Sequence, residues 1–275
     1  MNLKTKKIRN PGRKNPVNTN DTEIHNKQSR RKYIIAAVAV LLFCILILLG
    51  MAMAQKLAAS KQASDKIIRD IVSHKLRILP DDINDNDLAK ITQLNLAGQK
   101  LAHIKLLEKF TNMEELFIDN AGISSLEPLR GLTKLRILSV KNTKIRNLEP
   151  IKKLVSMQML YIENTEVTDI EPVRGLDNLI MLQVVGSGIS ALDPVKGLKG
   201  LRMLYLGDTS VSNLEPLQGL STLNFLDIRN TKVAGLEPLK ELKNLQVLDI
   251  AGCKNISDEQ ADALKKALPN INISR

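Results

Sequence analysis

The chain contains no Trp, two Cys, three His and only 3% aromatic residues among 275 positions. Each scarcity removes a class of explanation. With Cys44 inside a long apolar run and Cys253 near the far terminus, no intramolecular disulfide is geometrically reasonable, so any outer domain must be stable without one. His25, His74 and His103 lie too far apart for metal-ligand spacing. No phosphate-binding glycine loop, nucleophile elbow or nucleophile with a base at hand occurs, so an enzyme is not expected and neither metal nor cofactor is implied. One constellation, Asp227, Asp249 and Arg229, is the place where hydrolytic chemistry would have to reside if it existed.

Charge is also absent where it matters. Residues 33–55 carry none, while residues 1–32 hold ten Lys and Arg against Asp21 and Glu23, a local balance of +8. Residues 56–275 carry 30 basic and 27 acidic side chains, a balance of +3. The overall +11 therefore belongs mostly to a short tail and does not signal a nucleic-acid partner. From Ile34 to Ala54 every residue is apolar or small, and 21 residues at ~1.5 Å rise make a helix about 31 Å long, matching the hydrocarbon core of a bilayer. Residues 33–55 are read as one transmembrane helix. Arg30, Arg31 and Lys32 abut it and hold the N terminus in the cytoplasm, which places the rest of the chain outside. The expected location is a single-pass inner (cytoplasmic) membrane protein whose outer domain is periplasmic or extracellular. Residues 1–32 form the basic cytoplasmic tail, with residues 1–30 expected to be disordered and able to touch anionic lipid. The alternative is cleavage after Ala54, in the small-x-small sequence Ala52-Met53-Ala54, releasing a secreted or surface-released host-interaction factor.

Beyond the span the chain is self-similar. From Gly131 one unit reads GLTKLRILSVKNTKIRNLEPIK, and units begin again at Lys153, Gly175, Gly197 and Gly219 with a spacing of 22 and no insertion. The frame extends back to Lys109 and Asp87 and forward to Glu241, giving eight units over 87–262. Positions 2, 5, 8, 10, 15, 18 and 21 of the frame are almost always Leu, Ile, Val or Met. Positions 8 and 10 have the period of a short strand, as in Leu138-Ser139-Val140. Position 20 is Pro in six units (Pro128, Pro150, Pro172, Pro194, Pro216, Pro238), which suits a tight turn or a short 3₁₀ piece. Each unit is thus a strand, a turn and a return segment.

The pattern LxxLxLxxTxVxxLxPL resembles the leucine-rich repeat family, in the 22-residue subclass of bacterial internalin-like proteins that also occurs in a eukaryotic phosphatase regulatory subunit. The resemblance implies an α/β leucine-rich repeat solenoid with short parallel strands on its concave face and helical caps, here preceded by the transmembrane helix. Residues 56–86 would be stalk and N-terminal cap, and residues 263–275 the C-terminal cap. In the family an asparagine ladder runs along the stack. Its place, position 13, holds Thr143, Thr165, Ser187, Thr209, Thr231 and Cys253, with Gln99 and Ala121 in the first two units. These are expected to be structural, their hydroxyls substituting for the amide. The neighbouring turn, where φ > 0 is tolerated, is assigned to Asn120, Asn142, Asn164, Asn230, Gly98, Gly186, Gly207 and Gly252.

If positions 8 and 10 face the core, positions 7, 9 and 11 face the concave surface. There the scarce aromatics collect: Phe117, Tyr161, Tyr205 and Phe225 are four of the seven in the chain. Met159, Met181 and Met203, with Ile137 and Val247, complete an apolar stripe. An exposed stripe with a charged margin is expected to bind a protein partner, in a scaffolding or partner-regulating role, with no nucleic acid involved.

Overall fold

A computed structural model describes residues 19–275. Its first element, helix α1, spans Thr19–Leu76. Residues 19–30, expected to be disordered, are helical, because the helix of the apolar run continues upstream without a proline or glycine to stop it. The expectations for residues 1–18 lie outside the described residues. Among the described residues one helix is long and apolar enough to cross a membrane. None of its apolar window is buried, and side chains such as Val40, Leu42, Phe43, Leu46 and Leu48 are exposed along it.

The chain divides into two compact units, 1–57 and 58–275. The second is built on a nine-stranded parallel sheet in strict chain order, β1 to β9. The strands are β1 Gln93–Asn95, β2 Glu115–Phe117, β3 Ile137–Ser139, β4 Met159–Tyr161, β5 Met181–Gln183, β6 Met203–Tyr205, β7 Phe225–Asp227, β8 Val247–Asp249 and β9 Asn272–Ser274. From β1 to β8 the register repeats the sequence period, so Leu94, Leu116, Leu138, Leu160, Leu182, Leu204, Leu226 and Leu248 face one another across successive ladders. All eight are buried in a continuous core that runs the length of the stack. Position 2, Leu in seven units and Phe110 in the second, fills the same core with position 5. The six Pro-containing segments, Glu127–Leu129 through Glu237–Leu239, are 3₁₀ turns that reverse the chain after each strand. The proline lies in the first turn, where its missing N–H has no partner to lose.

The ends are closed by different means. Ile68 and Val72 of α1 enter the core, and Lys75 Nζ donates to the Gln93 carbonyl at 2.6 Å beside the open edge of β1. A short helix α2, Asp85–Ala89, follows with a full capping box: Asn84 accepts from the Asn86 and Asp87 amides while the Asp87 carboxylate accepts from the Asn84 amide. The far end carries α3, Asp258–Ala267, capped by Ser257 and Gln260, with Ala261 and Leu264 buried. The chain then returns as β9, which pairs with β8 at a spacing of 25 residues instead of 22. This strand adds to the eight read from the repeat, and the longer step accommodates α3.

The ladder along the stack differs from the expectation. Position-13 hydroxyls bond chiefly within their own unit: Thr143 donates to the Val140 carbonyl at 2.6 Å, Thr165 to Ile162 at 2.7 Å, Ser187 to Val184 at 2.5 Å, Thr209 to Leu206 at 2.6 Å and Thr231 to Ile228 at 2.7 Å, with the Thr231 hydroxyl also 3.5 Å from the Cys253 sulfur of the next unit. Each hydroxyl closes its own turn. Cys253 alone among them reaches the preceding unit, its Sγ lying 2.9 Å from the Ile228 carbonyl. A ladder of side-chain amides between units is formed at position 12, where Asn142 Nδ2 donates to Asn120 Oδ1, Asn164 to Asn142, and Asn230 to Asp208, at 2.8 to 2.9 Å. All eight position-12 residues have positive φ, from 51° at Asn164 to 73° at Gly252. The fifth non-glycine among these turns is thus Asp208, and Gly207 beside it is not left-handed.

Candidate functional site

In β1 to β8 the middle residue is buried and the first residue lies on the open face of the sheet, as does the third except in β3 and β7, a consequence of strand alternation. The structure places Ile137, Met159, Met181, Met203, Phe225 and Val247 as one register column, each half-buried, with neighbours paired directly across the ladders. Phe117, Tyr161 and Tyr205 are half-buried in the adjacent column, alternating there with smaller or polar residues.

These side chains touch. The Tyr205 and Phe225 rings lie 4.6 Å apart and tilted by 34°, within the range that favours aromatic pairs. The Tyr161 hydroxyl donates to the Met159 sulfur at 3.5 Å and that of Tyr205 approaches the Met203 sulfur at 4.0 Å. Lys141 Nζ sits 4.9 Å from the centre of the Tyr161 ring and 3.5 Å from Glu163, while Gln183 donates to Glu163 at 2.8 Å. Burial pushes the pKa of both tyrosine hydroxyls up, making them weaker acids than usual, with the proximity of Tyr205 adding to the effect on Tyr161 and that of Asp227 to the effect on Tyr205. The column therefore presents apolar and neutral hydroxyl-bearing surface at neutral pH.

Two residues of the third strand position are withdrawn from the open face. Ser139 is 2% exposed and donates to Asp119 at 2.5 Å, and the same carboxylate accepts from the Lys141 amide at 2.8 Å. Asp227 is also 2% exposed and holds Arg229 through two bonds of 2.9 Å. Arg229 further lies 3.3 Å from Asp249, and its hydrogen bonds to Asp227 hold its proton more firmly than usual. Gly207 makes room for this arrangement, since a Cβ there would lie 3.2 Å from both Asp227 carboxylate oxygens. Asp227, Asp249 and Arg229 are brought together as an ion-pair network in which one guanidinium serves two carboxylates, the buried one fully engaged. The charged residues that frame the aromatics, Lys141 and Glu163, are visible in the sequence only as members of position 11.

The comparisons with known proteins agree with this geometry. A family model described as a leucine-rich repeat region matches residues 112–273. Internalin C2 from Listeria monocytogenes is similar in structure, with a TM-score of 0.69, 27% identity, and coverage of 75% of this chain and 92% of that one. A second Listeria monocytogenes internalin, InlF, gives a TM-score of 0.64 at 22% identity over 77% of this chain and 70% of its own. A leucine-rich repeat protein from Leptospira interrogans gives 0.59 at 20% identity over 69% and 56%. No curated protein sequence matches the chain. The repeat model covers more than half of the sequence, and the strands, turns and core it describes are those seen here: the chain belongs to the leucine-rich repeat family, whose fold is a protein-binding one.

Proposed function

We propose that the chain is a membrane-anchored binding module that captures a protein partner on its concave face. The observation that carries this reading is the column Ile137, Met159, Met181, Met203, Phe225 and Val247 with Tyr161 and Tyr205 beside it. At ~4.8 Å per strand it runs about 24 Å, long enough to receive one element of a partner. Aromatic residues and Met are enriched in the cores of interfaces, and a charged rim such as Lys141, Glu163 and Arg229 gives them register. The unburied apolar stretch of α1 supports the anchor, and Arg30, Arg31 and Lys32 support an N terminus in the cytoplasm with residues 58–275 outside.

Photo-crosslinking from position 161 or 205 in the full chain, in its native membrane, tests the binding face. A discrete adduct that disappears with Met181→Glu is expected. Adducts that survive that substitution, or none from either position, would place recognition elsewhere. Protease treatment of sealed cells tests the topology: residues 58–275 are expected to be digested and the tail protected. Mass spectrometry that finds the mature chain starting at Gln55 would instead establish release after Ala54.

A further inference from the structure

Stacked repeats are joined by the backbone ladder, by the shared core and by side-chain bonds that cross from one repeat to the next. The third kind is unevenly spread along this stack. With the repeats numbered 1 to 8 from Asp87, two frame positions supply most of the crossings. At position 4, Asn112, Asn178 and Asn244 each donate Nδ2 to the position-3 carbonyl of the preceding repeat at 2.7 to 2.9 Å, and Thr222 donates to the Lys199 carbonyl at 2.6 Å. At position 12 stands the amide ladder of Asn142, Asn164 and Asn230. Among the described residues, every junction from 1/2 to 7/8 carries a side-chain hydrogen bond except 5/6, which has neither a hydrogen bond nor an ion pair between side chains across it.

Two glycines and one carboxylate account for the gap. Position 4 of repeat 6 is Gly200, where a Cβ would lie 3.3 Å from the Asp177 carbonyl, the group that an Asn or Thr there would bond. Position 12 sets Gly186 beside Asp208, so one residue has no side chain and the other offers only acceptors. The side chains next to the junction bond away from it: Gln183 donates back to Glu163, and Tyr205 packs forward on Phe225. What remains is the ladder, with the Arg202 amide donating to Ile180 at 2.8 Å and the Val184 amide to Tyr205 at 3.0 Å, together with core pairs such as Leu182 and Leu204. Positions 4 and 12 flank the strand at its two ends, so their bonds resist a tilt that the ladder between them permits.

We propose that the junction of repeats 5 and 6 is a hinge that divides the solenoid into two cooperative blocks, 87–196 and 197–275. Because each repeat contacts only its neighbours, the weakest junction decides where a stack separates into cooperative parts. The hinge lies beneath the middle of the open face. Met159 and Tyr161 stand on one block, and Met203, Tyr205 and Phe225 on the other. Tilting at the hinge widens or narrows that face, and a partner seated on both blocks would brace it. The hinge itself is independent of whether the face captures a protein.

Hydrogen exchange of the full chain in detergent, read by mass spectrometry with fragmentation to single amides, tests the hinge. The Arg202, Val184 and Ser210 amides, which bond across 5/6, are compared with the Gln158, Val140 and Glu166 amides, which bond across 3/4 in the same way. The 5/6 set is expected to exchange about 25-fold faster, at about fivefold for each of the two missing braces. Gly186→Asn with Asp208→Asn completes the ladder through Asn230 and should slow the 5/6 set about fivefold. Gly186→Asn alone adds a bond only to Asn164, across 4/5, and should leave the 5/6 set unchanged. Gly200→Asn supplies the other brace independently and should slow the 5/6 set by about the same factor as the double variant. Equal exchange in the two sets, equal slowing by Gly186→Asn alone, or folded double and Gly200→Asn variants that both exchange as the parent does, would overturn the hinge.

Discussion

Residues 181 and 182 are chain neighbours on β5 that point in opposite directions, so substituting each in turn tests the assignment of faces. Leu182 is fully buried, as are its ladder partners Leu160 and Leu204. Leu182→Ala removes three carbons, about 2.4 kcal/mol of transfer free energy at ~0.8 kcal/mol each. The site cannot readily collapse, because backbone bonds on both sides pin the strand, with the Met181 amide donating to Gln158 and the Val184 amide to Tyr205, each at 3.0 Å. The cavity therefore persists and brings the total to about 3 to 5 kcal/mol. The surface pair Met181→Glu with Tyr205→Ala removes no core volume. Its main cost is the Tyr205 and Phe225 ring contact, about 0.5 to 1.5 kcal/mol. Urea denaturation of the full chain in detergent, followed by circular dichroism, separates the two outcomes as shifts in midpoint. Because each repeat contacts only its neighbours, Leu182→Ala should also broaden or split the transition as the stack weakens near its middle. A loss below about 1 kcal/mol for Leu182→Ala, or an equal loss for the surface pair, would refute the reasoning.

Other consequences follow from single contacts. At Gly186, with φ of 66°, a Cβ would collide with Asn164 Oδ1, so Gly186→Ala should cost about 1 to 2 kcal/mol, whereas Gly186→Asn should cost less by tolerating the left-handed backbone and giving Asn164 a ladder partner; thermal melts rank the two, and the reverse order would count against the ladder. Thr165→Val leaves the buried Ile162 carbonyl without its 2.7 Å donor and should lower stability by about 1 to 3 kcal/mol in the same assay, a neutral result showing that the hydroxyl is dispensable. The carboxyls of Glu127 and Glu171 are held below their ordinary range by hydrogen bonds from Arg130 and Arg174, and that of Asp87 by Lys90 and the Asn84 amide. Their stabilisation is present above the ordinary carboxyl range and is lost as pH falls through the depressed folded values, so the urea midpoint should hold near neutrality and decline below about pH 4. Glu127→Gln with Glu171→Gln should shallow that decline, and an unaltered slope would show that these exposed pairs contribute nothing measurable.

The repeat of 22 makes the register legible in the sequence itself, because a strand that slips by one residue would expose its Leu at position 8. All eight of those Leu are buried and pair at that spacing. The period becomes uninformative where the chain leaves it, so β9 is legible only as a terminal segment. The exchange between positions 12 and 13 is hidden for a different reason. Asn, Asp and Gly share a tolerance for positive φ, so their presence marks a left-handed turn without saying whether the side chain reaches the next unit. That depends on the stacked geometry, in which Asn142 meets Asn120 while Gly186 offers Asn164 nothing to bond.

The concave face divides in the same way. Strand alternation states which side a residue leaves from, and all nine residues of the stripe lie on strands at open-face positions. Exposure is decided by residues in other columns: Asp119 withdraws Ser139, and Arg229 with Gly207 allows Asp227 to sink. Bulk then determines what remains accessible. Tyr161 and Tyr205 belong to the same column as Ser139 and Asp227, but a ring too large to be covered by one neighbouring carboxylate or guanidinium stays half-open. A solenoid face is thus specified by two interactions acting at right angles, alternation along each strand and side-chain bonding across strands. Only the first is written in a single repeat, and the second is where one repeat of this chain differs from the next.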